Sequence, residues 1–461
     1  MERDTIVYDR VYGEVRIRST LASQLLEGPL LSRLDNVRQL GVCSYVYPSA
    51  THTRREHSVG VYHLAGELAA HLRTVAHATT VTDDDIELVR VAGLLHDVGH
   101  GPFSHLFEEF VRGWSHETGT YEAVESLTEL LPPTDRAFVL AVLRGAPRGA
   151  TDDGFAARTG RPFHTHAFLL DVVHNACCGV DVDKMDYLVR DAQSVLGATQ
   201  VVDVQRILRA ADLVPDDTGV PRLSFHEHVA QSISSMFDVR TRLHTQLFQH
   251  RDVLVTERLV LAEMRRVGAR ASDSDADVLE RFCPAALQSL FRRPRMWHVP
   301  LPFEVRRLPT RPLCTACHTE TEIGDRYCAA CGAATKDRRH ATRADGRRVP
   351  WHAWVTGDAM TAFVRSATSV ADAHVVVQDV QRGTVHSVPD PWDEGVVWMG
   401  LTVLSTVPFH TTGKQVVRLA DDRVTHHQRT LYCYTETRYD DATAARLSEA
   451  VARCVRNKEG L

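Results

Sequence analysis

The segment LLHDVGHGPFSH, residues 94–105, decides the fold class of this chain. Adjacent His96 and Asp97 close an apolar stretch whose leucine and valine side chains recur at helical spacing. An aspartate buried at the end of such a helix costs several kcal/mol if it has no partner. A bound metal ion removes that cost, so the segment predicts a metal site at the end of a buried helix.

Two further residues supply matching ligands. His57, in TRREHSVG, begins another apolar helix, and Asp183 lies in DVDKMDYLVRD. Two imidazoles and two carboxylates suit Fe, Mn, Mg, Ni, Co or Zn, so the ligand types do not name the metal. We therefore predict one divalent catalytic cation, held by His57, His96, Asp97 and Asp183.

Helical periodicity dominates the first half of the chain and predicts a mainly α body over residues 1–267. Within it, residues 140–165 have little apolar content and predict a flexible excursion. An inserted module follows over 284–350, where the composition shifts to Arg, Pro, Cys and Thr. The β-branched runs and closing helical pattern of 351–461 predict a small α+β lobe.

The inserted module contains two CxxC pairs separated by ten residues, which is the spacing of a zinc ribbon. Four thiolates complete a tetrahedron, so this zinc is expected to be structural. The nearby basic segment KDRRHATRADGRR would permit nucleic-acid binding, but we favour a metal staple for a module too small to build a core. The predicted zinc ligands are Cys314, Cys317, Cys328 and Cys331.

The composition limits the classes of molecule that the protein is expected to bind. A formal net charge of -6 gives no general attraction to nucleic acid or anionic lipid. The sequence has neither an apolar run long enough to cross a bilayer nor a secretion signal at its start. These features predict a cytoplasmic protein that acts on a small anionic substrate and has no membrane partner.

The motifs REHSVG, LLHDVGHGPFSH, WSHETG, DVDKMDYLVRDA and RLHTQLFQH occur in this order within roughly residues 1–265. Together they resemble the HD-domain deoxynucleoside triphosphate triphosphohydrolases, a family that includes vertebrate enzymes with a SAM domain and bacterial dGTPases. The resemblance implies an HD-domain helical body and metal-dependent hydrolysis of a deoxynucleotide to a deoxynucleoside and tripolyphosphate. It also implies a homo-oligomer, a nucleotide activator and a role in lowering the deoxynucleotide pool, for example against phage.

The same motifs provide candidates for proton transfer. No serine or cysteine with a paired base is evident, so water activated by the cation is the expected nucleophile. The leaving 5'-oxygen then needs a proton, and histidine titrates in the right range to give it. The first candidate for this proton donor is His105, the second is His116 and the third is His100, with Glu108 as an orienting carboxylate.

The resemblance further implies a nucleotide pocket. Lys184, Arg54 and Arg240 would hold phosphates, and Tyr187 and Asp191 would read the sugar 3'-hydroxyl; Gln39, His244 and Gln249 match positions near the sugar and base. The helix that begins near Asp183 carries Asp183, Tyr187 and either Arg190 or Asp191 along one face. The alternative is a charged face exposed to solvent.

Three positions depart from the family pattern. Phe248 stands where a tyrosine often packs on the deoxyribose, which leaves sugar choice open. Ser32 and Asp35 replace a glutamine and an arginine that read an activating guanine in vertebrate members, although Asp9 matches. Asp35 reverses a charge, so activation by guanine is not expected.

Two other functions remain open at this stage. One is an HD phosphodiesterase or nuclease acting on cyclic nucleotides or single strands, which the zinc ribbon would serve. The other is a non-hydrolytic nucleotide sensor. Release of tripolyphosphate from a deoxynucleoside triphosphate would distinguish the predicted hydrolase from both.

Overall fold

The computed structural model describes residues 5–111, 113–147, 149–198, 201–216 and 218–291, followed by shorter stretches. Those stretches are residues 297–299, 307–308, 340–342, 348–350, 357–371, 373–381, 402–403, 415–416, 427–435 and 439–457. The four predicted zinc ligands, Cys314, Cys317, Cys328 and Cys331, lie outside the described residues.

The chain divides into two compact units. The first takes in residues 1–243, 257–288 and 382–424, and the second takes in 244–256, 289–381 and 425–461, each to the extent that the structure describes them. This division cuts across the boundaries expected at 267, 284 and 350, which stay predictions.

Helices dominate the described residues, as the periodicity predicts. In chain order they are α1 Thr20–Glu27, α2 Pro29–Arg33, α3 Arg54–Val75, α4 Asp83–Leu95, α5 His105–Phe110, α6 His116–Ser126, α7 Pro133–Arg144, α8 Phe155–Thr159, α9 Phe163–His166, α10 Leu170–Val173, α11 Val182–Leu196, α12 Val204–Arg209, α13 Ala230–Leu243, α14 Arg251–Val267, α15 Asp275–Leu279, α16 Pro284–Phe291, α17 Gly357–Thr368 and α18 Asp441–Asn457. No described helix is sufficiently long and apolar to cross a membrane.

The strands are short and pair antiparallel. They are β1 Thr5–Asp9, β2 Gly13–Ile17, β3 Ala211–Pro215, β4 Pro221–Phe225, β5 Trp297–Val299, β6 Arg307–Leu308, β7 His340–Thr342, β8 Arg348–Pro350, β9 Ala373–Gln381, β10 Thr402–Val403, β11 Gln415–Val416 and β12 His427–Thr435. In the first unit β1 pairs with β2, β3 with β4, and β10 with β11. In the second unit β12 pairs with β5, β6 and β9, and β7 pairs with β8.

Local sequence explains where the helices of the site begin. Thr53 caps α3 by accepting from the backbone N–H of Glu56, and Thr82 forms a capping box with Asp85 at the start of α4. Asp181 caps α11 in the same way. Because side chains satisfy these first N–H groups, each helix starts at a fixed residue and holds the predicted metal ligands near that end at a fixed place.

Helix α3 has two glycines where other side chains cross it. A Cβ at Gly60 would lie 2.0 Å from Asp186 Oδ1, and a Cβ at Gly66 would lie 1.9 Å from the guanidinium carbon of Arg90. Neither distance is compatible with a larger residue. The missing side chains therefore leave room for buried charged groups to lie directly on the helix backbone.

The expectation of a flexible excursion over residues 140–165 is wrong for the part that forms α8 and α9. Phe155 and Phe163 are buried, with ring centroids 5.4 Å apart. Arg161 forms an ion pair with Asp85 and lies 4.5 Å from the Phe138 ring centroid. Two aromatic anchors and the two ion pairs of Arg161, with Asp85 and Asp135, tie the segment to the body despite its polar composition.

The second unit has its own core. Met360 and Val364 from α17, Leu431 from β12, and Leu447 and Val451 from α18 are fully buried in one apolar cluster. Two helices thus cover a strand of the antiparallel sheet within this unit.

Candidate active site

Four side chains from three helices converge at the centre of the first unit. His57 lies in the first turn of α3, His96 and Asp97 follow α4, and Asp183 lies in the first turn of α11. His57 Nε2 is 3.1 Å from His96 Nε2 and 3.1 Å from Asp183 Oδ1. His96 Nε2 is 3.6 Å from that oxygen, and Asp97 Oδ1 is 3.4 Å from His96 Nε2. The structure thus brings together all four predicted metal ligands.

Partners on the far side of each ring orient the two imidazoles. His57 Nδ1 donates to Asp186 Oδ2 at 2.7 Å, and His96 Nδ1 donates to the Gly93 carbonyl at 2.7 Å. With Nδ1 carrying the proton, the lone pair of each Nε2 is available to a metal. Both rings are therefore held in the form that a metal ligand needs.

The electrostatics of this cluster favour a positive charge at its centre. Burial lowers the pKa of His57, but hydrogen bonds to Asp183 and Asp186 outweigh burial and raise that pKa to about 10. Burial raises the pKa of Asp97, but the Arg54 guanidinium and His96 hold it well below its usual range. A metal ion would compete with the proton for the same position.

The charges also fit a divalent cation. Four carboxylates and two guanidinium groups belong to the network around the imidazoles, which leaves two negative charges when the histidines are neutral. The residues are Asp9, Asp97, Asp183, Asp186, Arg54 and Arg190. Nitrogen and oxygen donors of this kind suit several first-row metals and Mg²⁺.

Arg54 supports the predicted metal ligand Asp97. Its guanidinium donates to Asp97, to Ser104 Oγ at 2.8 Å and to the Gln39 carbonyl at 3.3 Å. The side chain is buried, so it holds Asp97 from inside the protein. The phosphate contact expected for Arg54 stays a prediction.

The loop before α5 is strained, and a distant carboxylate holds it. Phe103 and Ser104 have φ of 59° and 60°, which is uncommon for residues other than glycine. Asp275 accepts from the Phe103 N–H at 2.6 Å and from the Arg38 N–H at 3.0 Å. Sequence reasoning missed Asp275, since nothing local shows that a residue in the first turn of α15 reaches this loop.

A second cluster lies beside the first and contains every residue predicted for proton transfer. Glu108 Oε1 accepts from His105 Nδ1 at 3.0 Å and from His116 Nδ1 at 2.7 Å. The His100 ring stacks on the His116 ring, with centroids 4.0 Å apart and planes 9° apart. His100 Nε2 is 3.4 Å from Asp97 Oδ1, so His100 links this histidine cluster to the metal ligands.

The protonation states in the histidine cluster differ. Burial, with Arg54 and His116 nearby, lowers the pKa of His100 well below its usual value, so His100 is neutral at neutral pH. Burial raises the pKa of Glu108, but the hydrogen bonds from His105 and His116 together outweigh burial and lower that pKa below its usual range, so Glu108 is a carboxylate. His105 has a side chain 70% exposed and is the member that solvent or a substrate reaches most easily.

Three charged residues of α11, Lys184, Arg190 and Asp191, are buried, so the alternative of a solvent-exposed charged face is wrong. Lys184 is 8% exposed, Arg190 0% and Asp191 1%. Lys184 Nζ donates to Asp181 Oδ2 at 3.0 Å, and Asp191 Oδ1 accepts from His52 Nε2 at 2.7 Å. The sequence did not single out His52, whose partner lies 139 residues away.

Two other predicted pocket residues lie in the first unit with these groups. Arg240 from α13 hydrogen-bonds the Tyr187 side chain. Gln39 is buried, and its Oε1 has no hydrogen-bond partner among the residues that the structure describes. A buried amide oxygen of this kind is an acceptor that a ligand hydroxyl could use.

His244 and Gln249 belong to the second unit. His244 is the first residue of a single π-helical turn, His244–Phe248, and Gln249 follows that turn. The Phe248 ring lies edge-on to His244 with centroids 4.9 Å apart. Their expected places near a sugar and base stay predictions.

Comparison with known proteins agrees with this geometry. Residues 54–191 match the model of the HD domain, and this range contains both clusters. Residues 54–191 are therefore similar to an HD domain, and the histidine and aspartate groups within them are candidate ligands for a metal.

Among full-length relatives, the chain resembles proteins named deoxynucleoside triphosphate triphosphohydrolase SAMHD1. It is 32% identical to the Mus musculus protein over 289 residues, which are 55% of this chain and 44% of that protein. It is 30% identical to the Homo sapiens protein, covering 56% and 44% respectively. A SAMHD1 homologue from Dictyostelium discoideum is 29% identical, covering 53% and 46%. The resemblance predicted from the motifs is confirmed, although the chain spans less than half the length of these relatives.

Proposed function

We propose that this protein is a metal-dependent hydrolase that converts deoxynucleoside triphosphates to deoxynucleoside and tripolyphosphate. The observation that carries the proposal is the pairing of a four-ligand cluster with a histidine cluster, joined where His100 approaches Asp97 at 3.4 Å. The similarity to proteins named for this activity supports the same reaction.

The two clusters divide the chemistry. A divalent cation at His57, His96, Asp97 and Asp183 would lower the pKa of water and offset negative charge on the attacked α-phosphate. His105 then gives a proton to the leaving 5'-oxygen, because it is the exposed histidine and Glu108 holds its Nδ1. His116 shares Glu108 and is the second candidate for this proton transfer.

The residues near α11 would bind the nucleotide. Lys184 and Arg240, with Arg54, supply positive charge for the triphosphate. Tyr187 and Asp191 supply groups for the sugar 3'-hydroxyl, and the unpartnered Gln39 Oε1 would accept a hydrogen bond from it. For His244 and Gln249, the resemblance to the family supports a role near the sugar and base.

Product analysis tests this proposal. The purified protein is incubated with each of the four deoxynucleoside triphosphates, singly and in mixtures, with Mn²⁺, Mg²⁺, Fe²⁺ or Co²⁺. We expect tripolyphosphate and deoxynucleoside in equal amounts, and neither product from an Asp183→Ala variant. Orthophosphate or pyrophosphate as the first product would contradict the proposal, whereas tight binding without turnover would indicate a sensor.

Several finer features belong to the same proposal. We propose that the chain forms a homo-oligomer, responds to a nucleotide activator and lowers the deoxynucleotide pool against phage in the cytoplasm. We also propose that residues 284–350 form a zinc ribbon with four cysteine ligands and that 351–461 form an α+β lobe. Metal analysis tests the ribbon: one tightly bound zinc should survive Asp183→Ala and be lost in Cys314→Ser.

A further inference from the structure

A chain of buried charged groups connects the metal centre to the N-terminal hairpin β1–β2. Asp186 accepts from His57 Nδ1 at 2.7 Å. Arg190 grips the same carboxylate with two parallel hydrogen bonds, Nε to Oδ2 at 2.8 Å and Nη2 to Oδ1 at 3.0 Å. Its remaining arm, Nη1, donates to Asp9 Oδ2 at 2.8 Å. Asp9 is thus linked to the metal position through Arg190, Asp186 and His57, residues that the sequence separates widely from it.

The geometry of this chain is closely defined. The side chains of Arg190 and Asp186 are 0% exposed and that of Asp9 is 2% exposed. Gly60 leaves the space in which the Arg190 and Asp186 groups meet, since a Cβ there would lie 2.3 Å from Arg190 Nη2. Because the Arg190 guanidinium is planar and hydrogen-bonds both carboxylates, it fixes the distance and the orientation of Asp186 relative to Asp9.

Asp9 also fixes the hairpin. Its Oδ1 accepts from the backbone N–H of Val11 at 2.8 Å and of Tyr12 at 3.0 Å, so the turn between β1 and β2 folds around this carboxylate. The Arg190 guanidinium lies over the Tyr12 ring, 5.9 Å from the ring centroid. The hairpin therefore closes over the outer end of the charged chain.

We propose that Asp9 is a positioning residue for the metal centre, acting on His57 through Arg190 and Asp186. This inference rests on the proposed function, because it assumes that His57 is a metal ligand. Arg190 alone would neutralise Asp186 and weaken its hold on the imidazole. By sharing Arg190, Asp9 leaves the three groups with one net negative charge, which keeps Asp186 a strong acceptor and His57 Nε2 a strong donor to the metal. The affinity of the site for its metal then depends on whether hairpin β1–β2 is folded with Asp9 against Arg190.

The test is the dissociation constant for Mn²⁺, measured by titration calorimetry on the full chain without nucleotide. Asp9→Asn keeps the size of the side chain and removes its charge. Loss of an outer partner typically weakens metal binding about 10- to 100-fold, and we expect about 10-fold here because Asp9 acts through two intervening groups. Glu14→Gln, in the exposed part of the same hairpin, is the matched control and should bind Mn²⁺ as the unaltered protein does.

Two further variants separate the possible failures. His57→Ala should abolish Mn²⁺ binding at this site, and unchanged binding would remove the basis of the proposed function itself. If His57→Ala abolishes binding while Asp9→Asn leaves the constant unchanged, only the role of Asp9 is overturned. A lower melting temperature with unchanged affinity would likewise show that Asp9 is merely structural. If Asp9→Asn does not fold, Asp9→Glu replaces it in the same measurement. We expect Asp9→Glu to bind Mn²⁺ severalfold more weakly than the unaltered protein, and an unchanged affinity overturns the proposal.

Discussion

Two clusters of the candidate site contain similar residue types but are built differently. The predicted metal-ligand cluster is His57, His96, Asp97 and Asp183, and the histidine cluster is His100, His105, Glu108 and His116. In the first, each imidazole has a partner behind it, and His57 is 1% exposed at its side chain. In the second, one carboxylate oxygen of Glu108 serves two histidines, and His105 is 70% exposed. In the first cluster the most exposed side chain is Asp183, at 35%, whereas in the second it is His105, at 70%.

This difference supports the proposed division of labour between metal binding and proton transfer. A metal site needs fixed geometry, which buried outer partners supply. A proton donor must approach a leaving group and exchange protons with water, which an exposed imidazole can do. His100 stands between them, buried and neutral, touching Asp97 on one side and the His116 ring on the other.

The strongest test of the comparison is His96→Ala. Loss of a predicted ligand should abolish Mn²⁺ binding and lower turnover by at least about a thousandfold, since a bound cation would lower the reaction barrier by several kcal/mol. Calorimetry and product release measure the two effects. A variant that still binds Mn²⁺ normally would show that the two clusters have been assigned to the wrong roles.

His105→Ala should separate proton transfer from metal binding. We expect turnover to fall about a hundredfold, at the low end for loss of a general acid, with Mn²⁺ affinity unchanged. His116→Ala serves as the comparison and should have the smaller effect. The order would be reversed if His116 were the main donor, and equal weakening of metal binding would merge the two clusters into one.

Asp275→Ala tests the loop that leads from one cluster to the other. The N–H groups of Phe103 and Arg38 would lose their acceptor, at a cost of about 1–3 kcal/mol for each group left buried without a partner. We expect a lower melting temperature in calorimetry and slower turnover. Exposed Glu280→Ala, on the same segment, is the control and should change stability by less than about 0.5 kcal/mol.

The smallest expected effect concerns pH. Burial raises the pKa of Asp275 to about 6, although the N–H groups of Phe103 and Arg38 lower it. The Asp275 carboxyl holds its proton more tightly in the folded protein than in the unfolded chain. Its protonation therefore stabilises the folded state fully below about pH 4, and this stabilisation is lost as the pH rises through 6. Asp275→Asn lacks this titration. Its stability relative to the unaltered protein, measured by urea unfolding, should therefore improve between about pH 4.5 and 7; a constant difference would contradict the shift.

The sequence predicts the functional side chains better than what holds them. His57, His96, Asp97 and Asp183 stand out because charged or polar residues interrupt apolar helical patterns. Asp186 carries the same signal, three residues after Asp183 on the buried face of α11, but its link to His57 depends on packing between α3 and α11. Asp275 and His52 gave no local signal at all.

The same limit explains the error over residues 140–165. Composition counts apolar residues and misses how a few are used. Phe155 and Phe163 pack on each other, and Arg161 reaches Asp85 on a helix formed 76 residues earlier. Whether this segment packs on the body is thus decided by contacts between distant parts of the chain, which its local composition does not show.

The two glycines of α3 have a consequence for engineering. Replacing a mid-helix glycine by alanine usually stabilises a protein by several tenths of a kcal/mol or more, because glycine has the greater freedom when unfolded. At Gly60 and Gly66 the new methyl group would meet Asp186 and Arg90. A redesign that scores helix propensity alone would choose these substitutions first, and it would displace the side chains that the helix was shaped to admit.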